Sequence, residues 1–220
     1  MARKIGIAHS TTTTVTGRPP ILILIAGATG VGKSTTAVKV ASAHSFSRLL
    51  STDAIREIMR LNDGEETGAL HRSSFSKGET GDAVLDWADT CKAVEAGILA
   101  TIERARREGI DLILEGVHLE PSRRMLRVWT EAGGISLGIV MHIDDEAKHT
   151  SFLKERESHS FRNAGRYISA LPRIRAIQDA LLDKARIADW HTLDPTRVNE
   201  SIERVDHWLD LAWNQWRKSN

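Results

Sequence analysis

The chain has 220 residues, 27% of them charged, and a formal net charge of +1. That length suits one α/β domain with a full core and a small lid, and the balanced charge argues against a nucleic-acid partner. The single cysteine, Cys91, excludes an internal disulfide, and no apolar run approaches a membrane span, so a reducing, cytoplasmic setting without a membrane partner is expected.

Residues 1–19 are read as a flexible arm, with a short strand at Ile5–Ala8 as the alternative. Ser10, Thr11 to Thr14, Arg18 and Pro19 make this stretch polar and breaker-rich, and it has no signal-peptide apolar region. One domain is expected over 20–220. Ile21–Ala26 is continuously apolar, as in a strand buried on both faces of a parallel sheet. The next residues, Gly27-Ala-Thr-Gly-Val-Gly-Lys-Ser34, form a complete Gly-x-x-x-x-Gly-Lys-Ser phosphate loop, and a helix follows from Thr35. Strand, glycine loop and helix N-terminus stand in the order that polyphosphate binding needs. Gly27, Gly30, Val31, Gly32, Lys33, Ser34 and Thr35 are therefore the expected nucleotide contacts. Lys33 can reach the outer phosphates, and Ser34 can ligate Mg²⁺.

A second strand is expected at Arg48–Ser51, followed by a helix over Ala54–Arg60 with Thr52 or Asp53 as its N-cap. Residues 62–82 read as loop with room for one short helix. Asp82 opens a long helix whose apolar stripe runs through Trp87, Cys91, Val94 and Ile98 to Ala105, and Gly109 ends it. On that stripe Cys91 reads as a buried, inert thiol. Asp111–Glu115 is the third strand. A helix over Pro121–Ala132 precedes Gly133-Gly134, and Ile135–Ile143 is the fourth strand. Lys148–Glu157 looks helical, Ser158–Gly165 looks like a loop, and Ile174–Arg186 is helix again. The fifth strand is expected at Ile187–Leu193. Trp208, Trp213 and Trp216 stand on the stripe of the last helix, where packing in the core or against a second copy of the chain is favoured over a ligand cage.

This alternation predicts a three-layer α/β fold, a parallel sheet with helices on both faces. Ligands in such sheets gather at the carboxyl ends of the strands. That rule collects the phosphate loop, Asp53, Glu115-Gly116 and the segment after Ile143 in one crevice. Glu115 stands where an acid positions Mg²⁺, although Asp is the usual residue there and the longer Glu could contact an acceptor instead. Asp53 is either a helix cap or the group that orients an acceptor hydroxyl. Arg56 can pair with a carboxylate or phosphate. His71, Arg72 and His118 are further candidates for binding an anionic acceptor. The stretch 148–167 suggests a lid whose Arg156, Arg162 and Arg166 could close onto a transferring phosphoryl group.

At these residues the chain resembles the 2-phosphoglycerate kinases among the P-loop small-molecule kinases. The resemblance runs from about Pro20 to Asp194. It rests on Ala26–Thr36, Ser51–Arg60, His71-Arg-Ser-Ser74, Ile113–Pro121, Arg166-Tyr167 and Ile174-Arg-Ala-Ile-Gln-Asp179. It implies ATP-dependent phosphorylation of the 3-hydroxyl of 2-phosphoglycerate and a five-stranded sheet in the order 2-3-1-4-5. Some members of that family carry an additional N-terminal nucleotide-binding domain, for which a chain of this length is expected to leave no room. A kinase of another acceptor and a non-catalytic ATP-binding regulator are the competing readings. A GTPase switch is disfavoured because neither Asn-Lys-x-Asp nor Asp-x-x-Gly occurs.

Overall fold

The structure is a computed structural model that describes residues 18–61, 63–64, 67–158, 165–197 and 201–219, without the side chains of 156–158. Most of the segment read as an arm, residues 1–17, lies outside the described residues. Arg18 is paired with Asp111, whose other oxygen accepts from the Ile21 amide at 2.7 Å. The Pro20 carbonyl accepts from the indole of Trp129 at 3.0 Å and from the Ile135 amide at 2.9 Å. The chain entering the sheet is thus held from two neighbouring strands.

Five strands form one parallel sheet in the order β2-β3-β1-β4-β5. They are β1 (Ile21–Gly27), β2 (Leu49–Ser51), β3 (Leu112–Gly116), β4 (Ile135–Met141) and β5 (His191–Leu193). Every residue of β1 and β3 is buried, as continuous apolar runs in a doubly covered sheet require. Helix α1 (Lys33–Ala43) packs on β1 and β3, and α8 (Ser201–Ser219) lies beside it on β4. The other layer holds α3 (Ala83–Glu108) and α7 (Leu171–Ala188), which pack on each other, with α7 resting on β1 and β4. Helix α2 (Thr52–Arg60) packs on α3, and α4 (Arg123–Glu131) packs on β4. The three-layer architecture and the strand order are as expected.

Asp82 caps α3, accepting from the amides of Val84 and Leu85, and Gly109 ends it in the left-handed conformation. Cys91 is buried on that helix, and desolvation, with Glu120 adding, pushes its thiol well above the ordinary range. Trp208 is buried and stacks on His191, with ring centroids 4.4 Å apart, while Trp213 and Trp216 pack against the core.

Several boundaries differ from the sequence reading. The N-cap of α2 is Ser51, not Thr52 or Asp53. Ser122 caps α4, which starts at Arg123, so Pro121 lies before the helix. Helix α7 runs to Ala188 and stops on Asp189 in the left-handed region, which shortens β5 to three residues. No helix forms among the described residues of 61–82. That loop is fixed instead by a pair between α3 and α7, in which Asp86 is buried and Arg173 partly buried. Arg173 donates to Asp86 Oδ2 at 2.8 Å and to the carbonyls of Phe75, Ser76 and Gly81. Burial alone would raise the Asp86 carboxyl. Hydrogen bonds from Gly78, Thr80 and Arg173 outweigh that effect and hold it below the usual carboxylate range.

On β4, Gly138 faces the ring of Trp190 so closely that an added Cβ would lie 2.4 Å from Cδ2. Gly138→Ala is expected to cost about 1–3 kcal/mol by overpacking, read as a lower urea midpoint at unchanged slope.

Candidate active site

The carboxyl ends of β1 and β3 open into a cleft of about 990 Å³. Its floor is the phosphate loop, which β1 delivers and α1 continues. Gly30 has φ +86°, and a Cβ there would lie 2.3 Å from Leu153, so only glycine fits both the turn and the contact. Gly32 begins α1 at φ 82°, and the first turn of that helix holds neither an acid nor a side-chain cap. The first-turn amides and the positive end of the helix dipole therefore face the cleft. Lys33 Nζ donates to the Ala28 carbonyl at 2.8 Å, folded along the loop. Ser34 Oγ donates to Glu115 Oε1 at 2.9 Å. Two oxygens from the start of α1 and the end of β3 thus meet in the cleft, a donor set suited to a hard cation such as Mg²⁺.

A second pocket of about 640 Å³ adjoins the first, and Thr29, Asp53 and Val117 line both. Arg56 and Arg60 enter it from α2, His71 and Ser73 to Phe75 from the loop after α2, and Arg166 and Tyr167 from α6 (Gly165–Ser169). Arg56 lies 3.9 Å from the Asp53 carboxylate. Arg60 donates to the carbonyls of Leu70 and His71 at 2.9 and 2.6 Å and to Glu57 at 2.7 Å. His71 is 3.1 Å from Asp63. Arg166 donates to Ser73 and stands over the Phe75 ring at 5.3 Å.

Behind the shared wall lies His118, 2% exposed. Its Nδ1 is 3.0 Å from Thr52 Oγ1 and 3.8 Å from Asp53 Oδ1. Burial lowers its pKa to about 4 against the pull of Asp53, and Arg56, Lys33 and Arg60 lower it further, so the ring is neutral at pH 7. Gly116 makes this approach fit, because a Cβ there would lie 1.8 Å from Thr52 Oγ1.

Of the residues singled out in the sequence, Gly30, Gly32, Lys33, Ser34, Thr35, Glu115 and Gly116 line the first cleft. Asp53, Arg56, His71 and Arg166 line the second pocket. Gly27 and Val31 line neither; Gly27 ends β1, and Val31 is buried in the core. Arg72 turns away from the pockets, donating to the Asp86 carbonyl at 2.6 Å and lying 3.4 Å from Asp89. Arg162 lies outside the described residues, as does the side chain of Arg156. The sequence reading gave no site role to Thr29, Arg60, Ser73, Phe75 or Tyr167. Arg60 carried a usable signal, since it stands four residues from Arg56 and must share its helix face.

Because folded His118 stays neutral down to about pH 4 while the unfolded side chain protonates near 6.5, it costs stability as pH falls through that window. His118→Gln is expected to flatten this loss, read as a smaller drop in urea midpoint between pH 7 and pH 5 than in the unaltered protein.

The chain is 34% identical to a 2-phosphoglycerate kinase of Pyrococcus horikoshii over 84% of its own length and 63% of that protein. It is 35% identical to the 2-phosphoglycerate kinase of Pyrococcus furiosus over the same shares. The chain thus spans a little under two thirds of the length of these relatives. Shikimate kinase from Acinetobacter baumannii, solved with shikimate, shares the fold at a TM-score of 0.52 and 10% identity, over 90% of this chain and 94% of that one. A family model described as AAA domain matches residues 22–166, which contain the phosphate loop, Asp53, Glu115 and Arg166. The chain belongs to this AAA-domain family of phosphate-loop proteins.

Proposed function

We propose that the chain is an ATP-dependent kinase of a small anionic acceptor, 2-phosphoglycerate first, forming 2,3-bisphosphoglycerate. The observation that carries this reading is the adjoining pair of pockets. One is built on a phosphate loop and the other is rich in arginine, and they meet at Thr29 and Asp53. Phosphoryl transfer needs donor and acceptor in line, with charge neutralised and little covalent chemistry from the protein. The names of the archaeal relatives supply the acceptor.

The roles follow from position. The loop amides and Lys33 hold the β- and γ-phosphates of ATP. Ser34 and Glu115 would hold Mg²⁺, which when bound neutralises charge on the phosphate oxygens. Asp53, exposed in the cleft, orients the acceptor hydroxyl and receives its proton. Arg56, Arg60 and His71 face the carboxylate and phosphate of the acceptor, and Arg166 closes on the same pocket from α6. The buried thiol of Cys91 fits a cytoplasmic setting.

Lys33→Ala is expected to reduce turnover by about two to four orders of magnitude with the fold intact. Arg56→Ala is expected to raise the acceptor KM while nucleotide affinity stays nearly constant. Steady-state ADP release with each substrate varied in turn reads both. Near-normal turnover in the first variant, or equal loss of both affinities in the second, contradicts the roles.

A further inference from the structure

Helix α5 (Glu146–Ser158) touches the phosphate loop at two points. Leu153, fully buried, fills the space over Gly30 that any side chain there would need. One turn earlier His149, also fully buried, places Nε2 2.9 Å from the Thr29 carbonyl oxygen. A carbonyl only accepts, so Nε2 carries the proton. Nδ1 is buried with no hydrogen-bond partner among the described residues, which leaves it the bare nitrogen of a neutral ring. Burial lowers the pKa of this histidine, with Arg175 and Lys33 adding and the Thr29 bond opposing, which agrees with a ring neutral at pH 7.

The residue that His149 holds is one of the three that line both pockets. Thr29 stands in the wall between the nucleotide cleft and the arginine-rich pocket. We propose that His149 is a positioning residue for phosphoryl transfer: its Nε2–H fixes the Thr29 peptide, and through it the line from donor phosphate to acceptor, to the helix that leads toward Arg166. This rests on the kinase reading above. A ring that touches no reacting atom then controls how well transfer competes with water. Releasing the Thr29 carbonyl frees the segment Ala28–Gly30, which also carries the acceptor for the Lys33 ammonium. Small misplacements of reacting groups are costly, because aligned attack is where much of the rate originates.

Glutamine offers an amide N–H at nearly the reach of the ring Nε2, whereas leucine keeps apolar bulk without a donor. His149→Leu should lower the ratio of acceptor phosphorylation to acceptor-independent ATP hydrolysis on the order of tenfold, with ATP affinity little changed. His149→Gln should restore most of that ratio. The backbone amide resonance of Gly30 should move in the leucine variant and return toward its original position with glutamine. In the unaltered protein, ¹⁵N spectra of the ring should show the proton on Nε2. A merely structural role would lower the melting temperature and active fraction of the leucine variant while leaving the ratio and the Gly30 resonance in place, and that result overturns the proposal. So does a proton on Nδ1. If the unaltered protein phosphorylates no acceptor offered, the kinase reading fails. The Gly30 resonance and the ring tautomer then still decide whether His149 holds the loop.

Discussion

The parallel pairing of β1 with β3 is the constraint on which the site depends. It sets Ile25 opposite Glu115 and Ala26 opposite Gly116, so both strands end at the same level. The phosphate loop leaves one strand as the acid leaves the other, and Ser34 meets Glu115 across the gap. β2 pairs on the outer side of β3 with Ser51 opposite Glu115, which brings Thr52 and Asp53 to the same edge. A shift of one residue along β3 would turn Glu115 into a helix layer and leave an unpaired acid in an apolar core, an arrangement that is strongly disfavoured. The hydrophobic pattern that fixes the register therefore fixes the chemistry.

The two pockets are held by different means. The cleft over the phosphate loop is built from backbone, with glycines that permit the loop and a helix start left open. The second pocket is built from long side chains pinned to main-chain carbonyls, as Arg60 is pinned to Leu70 and His71. Its loop wall, among the described residues, has no regular secondary structure and depends on Arg173 reaching across from α7 to four carbonyls and Asp86. The shape of this pocket depends on remote packing, because losing the α3–α7 pair would release the segment that carries Ser73 and Phe75.

Much of this was legible in the sequence, for identifiable reasons. The first strand, the loop and α1 announce themselves through an apolar run, fixed glycines and a lysine at one spacing. Helix α3 is bracketed by a capping aspartate and a terminating glycine. The strand order followed from family resemblance, since local patterns carry no information about which strands are neighbours. The end of α7 lies beyond the expected boundary because Ile187, Ala188 and Trp190 are apolar residues just ahead of β5, although Ile187 is 75% exposed and still helical. The stop is Asp189 in a left-handed conformation, without the glycine that usually marks one. Arg72 illustrates another limit: it neighbours His71 in sequence, yet adjacent residues of a loop face different ways, and Asp86 takes its guanidinium. His149 gave no signal at all, because its partner is a backbone carbonyl 120 residues away.

The arginine-rich pocket is proposed to receive a small anionic acceptor in line with ATP. The most direct measurement is ³¹P NMR of the products formed from ATP and Mg²⁺ with 2-phosphoglycerate, 3-phosphoglycerate or a nucleoside monophosphate offered separately. A new phosphomonoester signal of 2,3-bisphosphoglycerate, growing with ADP, is expected only when 2-phosphoglycerate is present. Transfer confined to nucleoside monophosphates, or ADP formed without any phosphorylated acceptor, would contradict that role.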